Sequence, residues 1–321
     1  MKPLFITIDT EGDSLWSNPA NNEIKTENVL WIPRFQELCE KYSFVPIWLT
    51  DYEIASDDRF VDYMYQKNKD GKCEIGIHLH ARNNPPIIKL NNEKKDAAAY
   101  LIEYPPLVMR EKFRLLKSLL EDKFHAPIVT HRAGRWALNQ EYIDVLAEQE
   151  ILYDCSITPG INWSFSPGIT PGSHGSDYSN SSSLRHELHS SSGRKITEYP
   201  VSIIKRDKYI LADNINIKNI IRPFYYSLKK ERIWLRPAAY GNYREMKYVL
   251  DSIIEEDMPY AEFMIHSSEL MPGGSPSFPD IASIDKLYKN LEKVFKYARN
   301  IGYVGYTFYT WEKLNSRQTE E

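Results

Sequence analysis

Cysteine is scarce and poorly placed for covalent or metal work. The three present, Cys39, Cys73 and Cys155, are far apart, odd in number and form no CxxC pair, which excludes a disulfide framework and a thiolate zinc site. Long apolar runs are missing as well. No stretch approaches the ~20 apolar residues of a membrane-spanning helix. The N-terminus, MKPLFITIDTEGD, reaches an acidic residue at Asp9 and lacks the apolar core of a signal peptide, so a cytoplasmic location is expected. There is no excess of positive charge either: a net charge of -4 gives no reason to expect a nucleic-acid partner. Internal repeats are absent, and the one biased tract is a serine run near residue 181.

What is present is an enzyme-sized chain of 321 residues, long enough to bury a sizeable core, with 42% hydrophobic residues. Short apolar or β-branched runs recur at 3–8, 44–50, 74–79, 127–131, 151–155, 196–203, 262–266 and 303–309. Between them the apolar period lengthens to three or four, which predicts helices at about 25–42, 57–68, 107–123, 139–149, 243–256 and 283–300. Strands alternating with helices imply a parallel sheet with helical crossovers, most simply a (β/α) barrel or an incomplete one. The chain reads as one catalytic domain, 1–321, with a Ser/Gly/Pro-rich excursion over the barrel mouth at about 156–195. The stretch 204–242 resists assignment.

Reactive side chains gather at the ends of these strand-like runs. The first ends in Asp9, Thr10 and Glu11; Asp51 follows the second; His78 and His80 end the third. The fourth runs into THRAGRW, with His131, Arg132 and Arg135, the fifth carries Asp154, and IHSSE brings His266 and Glu269. In a parallel barrel the carboxyl ends of all strands open onto one face, where chemistry is built. Carboxylate and imidazole donors suit Zn²⁺ or a similar divalent ion. Histidines at i and i+2 on a strand share a face and can reach one ion. Asp9 and Glu11 are also two apart, so either could be ligand and the other base, while His266 could protonate a leaving amine. This set points to metal-assisted hydrolysis of an amide or ester.

ITIDTEGD, EIGIHLH, THRAGRW, LYDCSITPG and FMIHSSEL, in this order, resemble the five blocks of the polysaccharide deacetylases of carbohydrate esterase family four, the nodulation-protein-B homology domain. The match is closest to the branch associated with O-antigen and capsule biosynthesis, and the blocks span about 4 to 309. The resemblance implies a distorted (β/α) barrel of about seven strands and a divalent metal, most simply zinc, held by one carboxylate and two histidines. It implies hydrolysis of an N-acetyl, less often O-acetyl, group from a sugar. By the same resemblance Asp9 is the general base, Arg132 orients it, Asp154 supports the site and His266 is the general acid. The usual second aspartate is replaced by Thr10, so Glu11 takes the metal role; His78 matches the first metal histidine. The second normally lies four residues on, where Arg82 stands, so His80 takes its place.

Other polar residues carry plainer expectations. His131 packs against the barrel wall, His174, His186 and His189 are loop histidines, and His125 sits at a helix end. Arg135 is open between site and surface. Trp136, Trp163 and Trp234 are either sugar platforms or core. The expected substrate is an N-acetylated sugar on a nucleotide or lipid carrier. The alternatives are a catalytically inactive carbohydrate-binding protein on the same fold, or a metal-dependent hydrolase of a non-sugar amide.

Overall fold

The computed structural model describes residues 1–13, 24–90, 99–206, 210 and 232–318. Its strands are β1 (Lys2–Thr10), β2 (Pro46–Thr50), β3 (Glu74–Leu79), β4 (Thr130–Ala133), β5 (Tyr153–Asp154), β6 (His186–His189), β7 (Lys195–Glu198), β8 (Ile203–Lys205), β9 (Arg232–Trp234), β10 (Ala261–His266) and β11 (Tyr303–Gly305). The α-helices are α1 (Ile32–Lys41), α2 (Tyr52–Ala55), α3 (Asp58–Lys69), α4 (Pro106–Phe124) and α5 (Gln140–Glu148), followed by α6 (Tyr243–Glu255), α7 (Ile281–Asn300) and α8 (Phe308–Gln318). One sheet of nine strands runs β10-β1-β2-β3-β4-β5-β7-β6, with β11 beside β1. All neighbours in it are parallel except the edge pair β6–β7. Seven parallel strands, β10 through β7, thus form the curled half-barrel that the strand–helix alternation implies.

Strand alternation separates two kinds of filling. Leu4, Ile6 and Ile8 of β1, Trp48 of β2, Ile75, Ile77 and Leu79 of β3, and Phe263 and Ile265 of β10 pack in the main core under the helices. Their intervening neighbours face the barrel interior. There Phe5, Ile47, Leu49, Tyr153 and Tyr199 form a second, mostly aromatic core. Along β1 the inward series is therefore Phe5, Thr7, Asp9: apolar at the floor, polar toward the mouth. That gradient puts chemistry at one end of the strand and packing at the other.

Three expected boundaries are corrected. The strand expected over 303–309 stops at Gly305, and α8 begins at Phe308, whose ring stacks on Tyr199 at 4.5 Å and lies 4.5 Å from Phe5. Thr307 caps that helix by accepting from the Thr310 N–H at 3.2 Å, so a β-rich run turns helical to plug the barrel floor. The strand expected over 196–203 divides into β7 and β8, and β8 pairs with β9 in a separate two-stranded sheet. The excursion at 156–195 includes β6, an edge strand whose outward side chains hid its alternation. Of the unassigned stretch 204–242, residues 207–209 and 211–231 lie outside the described residues, while β9 and its flank are ordered against α6.

Candidate active site

The mouth is built by the first residues beyond β1 and β3. His78 and His80 sit two apart on β3 and its extension, and both turn toward Glu11. His80 Nε2 lies 2.9 Å from Glu11 Oε2 and 3.1 Å from His78 Nε2; His78 Nε2 is 3.6 Å from the same oxygen. Among the described residues this is the one cluster of His, Cys, Asp or Glu donors arranged to hold a metal ion. The close approach of the histidine strand to its neighbour needs Gly134, where an added Cβ would lie 2.4 Å from the Leu79 carbonyl and 3.2 Å from His80 Nδ1.

Each donor is braced from behind. The His78 Nδ1–H donates to the Arg132 carbonyl at 3.1 Å, which turns Nε2 toward Glu11. The Glu11 backbone is clamped on both sides: its N–H donates to Ser267 Oγ at 3.0 Å, and its carbonyl accepts from Asn28 Nδ2 at 2.6 Å. The loop following His80 is gathered around Lys112, whose buried ammonium donates to the carbonyls of Ala81, Asn84 and Pro86 at 2.6 to 2.8 Å. Burial lowers the Lys112 pKa to about 8.

The donor set fits a divalent ion. Two imidazole nitrogens and a carboxylate oxygen converge on one point, the mixed donor set that such a cation takes. Tetrahedral zinc with bonds of 2.0–2.2 Å sets ligand atoms about 3.3 Å apart. The three separations here, 2.9, 3.1 and 3.6 Å, bracket that value.

Asp9, buried, adjoins the cluster. One carboxylate oxygen accepts from Arg132 at 2.6 Å; the other is 3.9 Å from His78 Nε2 and 3.7 Å from His266 Nε2. Burial alone would raise the Asp9 pKa, but the charge of Arg132, followed by those of His78 and His266, holds it below its ordinary value. Burial also opposes ionisation of Glu11, and hydrogen bonds with His78 and His80 overcome it, so Glu11 too is depressed. Arg132 is itself completely buried. It donates to Thr7 Oγ1 at 2.8 Å and the Cys155 carbonyl at 2.9 Å, and pairs with Glu262. Burial pushes Glu262 up to about 7 despite that partner.

On the other side of Asp9, His266 Nδ1 meets Glu269 Oε2 at 3.1 Å, and Arg236 donates to both oxygens of that carboxylate at 3.0 Å. Burial would depress His266, yet the hydrogen bond to Glu269 and the charges of Glu11, Glu269 and Asp9 raise its pKa. Glu269 is held at about 2 against its own burial by Arg236 and His266.

The structure thus gathers Asp9, Glu11, His78, His80, Arg132 and His266 at one mouth. Asp154 it does not. Asp154 pairs in register with His131 on the helix-facing side of the sheet, the side opposite Arg132. Its carboxylate meets His131 Nδ1 and Ser156 Oγ at 2.6 and 2.8 Å, and Ser156 Oγ in turn accepts from the Ala133 N–H at 2.8 Å, so it supports the Arg132 strand from behind. Asp51 caps α2 through the Ile54 N–H at 2.9 Å and holds the Gly12 N–H at 3.1 Å. His125 ends α4 in left-handed backbone, φ 50°. Arg135 and Trp136 both have positive φ, 56° and 62°, a strained turn that lays Trp136 beside the Arg132 guanidinium at 5.1 Å. Arg135 itself stacks on Tyr100 at 3.7 Å. Trp136 and Trp163 each pack edge-on against Trp234, at 6.0 and 6.5 Å, and all three are partly exposed.

Sequence reasoning passed over Glu262, Arg236 and Lys112. The signal for Glu262 was a charged residue inside an otherwise apolar strand; Lys112 was a charge on the apolar stripe of α4. Arg236 lay in the stretch without periodicity.

No family model matches the chain, and no curated protein matches it in sequence. Solved structures do match in fold. A polysaccharide deacetylase from Mycobacterium smegmatis, itself described as putative, superposes with a TM-score of 0.51 at 13% identity, covering 96% of this chain and 94% of that one. An allantoinase superposes with a TM-score of 0.53 at 11% identity over 95% and 86% of the two chains. A 4-alpha-glucanotransferase from Thermococcus litoralis gives 0.51 at 12% identity; the chain, 97% covered, spans 38% of that enzyme. At this identity the likeness establishes a shared half-barrel fold, one that carries differently named activities, so the chemistry has to be argued from the site.

Proposed function

We propose that the chain is a metal-dependent hydrolase that removes an N-acetyl group from a sugar. The observation that carries this reading is the position of Asp9 Oδ2, within 4 Å of both His78 Nε2 in the metal cluster and His266 Nε2 on the opposite wall. A divalent ion held by Glu11, His78 and His80 would supply Lewis-acid polarisation and an acidified water. Asp9, ionised and fixed by Arg132, takes the proton from the attacking water as its oxygen bonds to the acyl carbon. His266, kept protonated by Glu269, gives its proton to the amine nitrogen as the carbon–nitrogen bond breaks. The products are acetate and a sugar amine. The tryptophans beside Arg132 favour a pyranose ring over a smaller amide, since aromatic faces stack on the apolar face of a sugar.

The resemblance in the motifs supports a substrate among surface-polysaccharide precursors, of the O-antigen or capsule type, on a nucleotide or lipid carrier. Among the described residues no helix is long and apolar enough to cross a membrane. The test is metal content together with acetate release from a panel of N-acetylated sugars. The expected result is one divalent ion per chain, with His78→Ala and Asp9→Asn both abolishing release. Failure to take up zinc at micromolar concentration sinks the reading, and full activity in either variant shows that residue's role to be misassigned.

A further inference from the structure

The hairpin β8–β9 presents two unlike faces. Ile204 and Ile233 enter the main core under the helices. On the opposite face, Ile203 stands across from Trp234 and Lys205 across from Arg232. Ile203 and Trp234 pack with the small interior cluster that also receives Trp136, so this face looks into the barrel mouth. Directly after Trp234 the chain turns tightly, with the Arg236 N–H donating back to the Trp234 carbonyl at 2.9 Å, and Arg236 grips the Glu269 that holds His266. The wall is therefore graded: the proton donor's support first, an aromatic platform next, and cations beyond it. Arg232 lies two strand residues, about 7 Å, outward from Trp234.

Those cations are placed but not neutralised. The Arg232 guanidinium lies flat on Gly160 in the excursion that follows β5; a Cβ there would sit 1.9 Å from its Cζ, so Gly160, at φ +74°, makes the seat. Among the described residues no carboxylate is paired with Lys205 or Arg232. Several other arginines find acids: Arg34 with Asp285, Arg110 with Glu148, Arg185 with Glu312. Unpaired cations seated beside a ring platform are suited to an anion that arrives with the ligand.

We infer that Lys205 and Arg232 form a phosphate subsite, and that the ligand is a sugar carrying a phosphate or diphosphate ester, with its ring on Trp234. This rests on the sugar-hydrolase reading for the identity of the ring, while the anion site stands on its own geometry. A neutral polymer leaves both cations without purpose; a phosphorylated sugar engages ring and charge together.

The experiment measures binding of glucose 1-phosphate and of methyl glucoside to the full chain as purified. Glucose 1-phosphate should bind more tightly, the gap closing as salt rises. Arg232→Gln with Lys205→Gln should reduce its affinity by about ten-fold or more while leaving methyl glucoside unchanged. Equal affinity for the two ligands in the wild type, or an undiminished gap in the double variant, overturns the proposal. Trp234→Phe is the second arm: it should weaken both ligands and leave their ratio intact, and a change in the ratio alone overturns the division into ring and anion subsites. Displacement by uridine diphosphate in preference to geranyl diphosphate supports a nucleotide carrier, and the reverse a lipid one. Loss of acetate release with anion binding intact would fail the hydrolase reading alone.

Discussion

Of two histidine–carboxylate pairs outside the metal cluster, His131–Asp154 and His266–Glu269, only the second is equipped for proton transfer. His131 sits wholly buried on the helix side, with Nδ1 on Asp154 at 2.6 Å and Nε2 on the Tyr142 hydroxyl at 2.7 Å. Burial depresses its pKa even with Asp154 beside it. His266 sits at the mouth with Nδ1 on Glu269, its other nitrogen turned toward Asp9, and its pKa raised. The same two kinds of side chain make a strut in one place and, in the proposed reaction, an acid in the other. What differs is the far nitrogen: a hydroxyl closes it in the first pair, and the pocket opens before it in the second. A third party matters too, because Arg236 keeps Glu269 charged, whereas the carboxylate beside Asp154 is Glu198, pushed well above its usual value by burial and the Asp154 charge.

Exchanging the pairs' fates is the strongest test of that contrast. His266→Ala should cut kcat by roughly 10²–10⁴ with little change in the denaturation midpoint. His131→Ala should instead destabilise by about 3–5 kcal/mol, because it leaves Asp154 buried without its partner, while protein that still folds keeps most of its kcat. Parallel losses of kcat in both would erase the distinction. Next in size, Lys112→Met removes the centre of the carbonyl cage behind His80 and should weaken zinc affinity about ten-fold, measured by competition with a chelating dye. Unchanged affinity would show that the loop holds His80 without it.

Smaller effects concern pH. The His266 pKa lies above the ordinary ~6.5, so activity should persist to neutral pH and fall as pH rises through the shifted value. Glu269→Gln should move that alkaline limb of kcat/KM to lower pH, whereas Asp154→Asn should leave it in place. The Glu269 carboxyl, held at about 2, contributes stability that is full above about pH 4.5 and lost as pH falls toward 2. Wild type should therefore lose about 2–3 kcal/mol more than Glu269→Gln between those limits, read from urea midpoints.

Much of the mouth was legible because its residues stand at the ends of apolar strands, where alternation tells which side chains face inward. Asp9, Glu11, His78 and His80 follow from position and parity. Asp154 shows where that reasoning needs the register: one residue of parity separates the pocket from the helix layer, and a two-residue strand such as β5 is too short to display its phase. Glu262 was hidden by the opposite problem, since β10 is buried along its whole length and periodicity cannot mark an inward carboxylate there. The helix at 308 was masked by β-branched and aromatic residues that pack into the barrel floor, where tertiary contact overrides local preference.

Central placement of the first strand has a consequence for how the chain acquires its shape. β1 is made first, yet it pairs with β10, through contacts such as Asp9 with His266, and with β11 at Leu4 and Gly305. Loops of that length close late, so folding is dominated by non-local pairing and should be slow. During synthesis β1 can pair with β2 early, but its other edge stays open until the last fifth of the chain, from Ala261, emerges. A nascent chain stopped short of Ala261 would carry Asp9, Glu11, His78 and His80 and still lack a catalytic pocket, with an open sheet edge in its place.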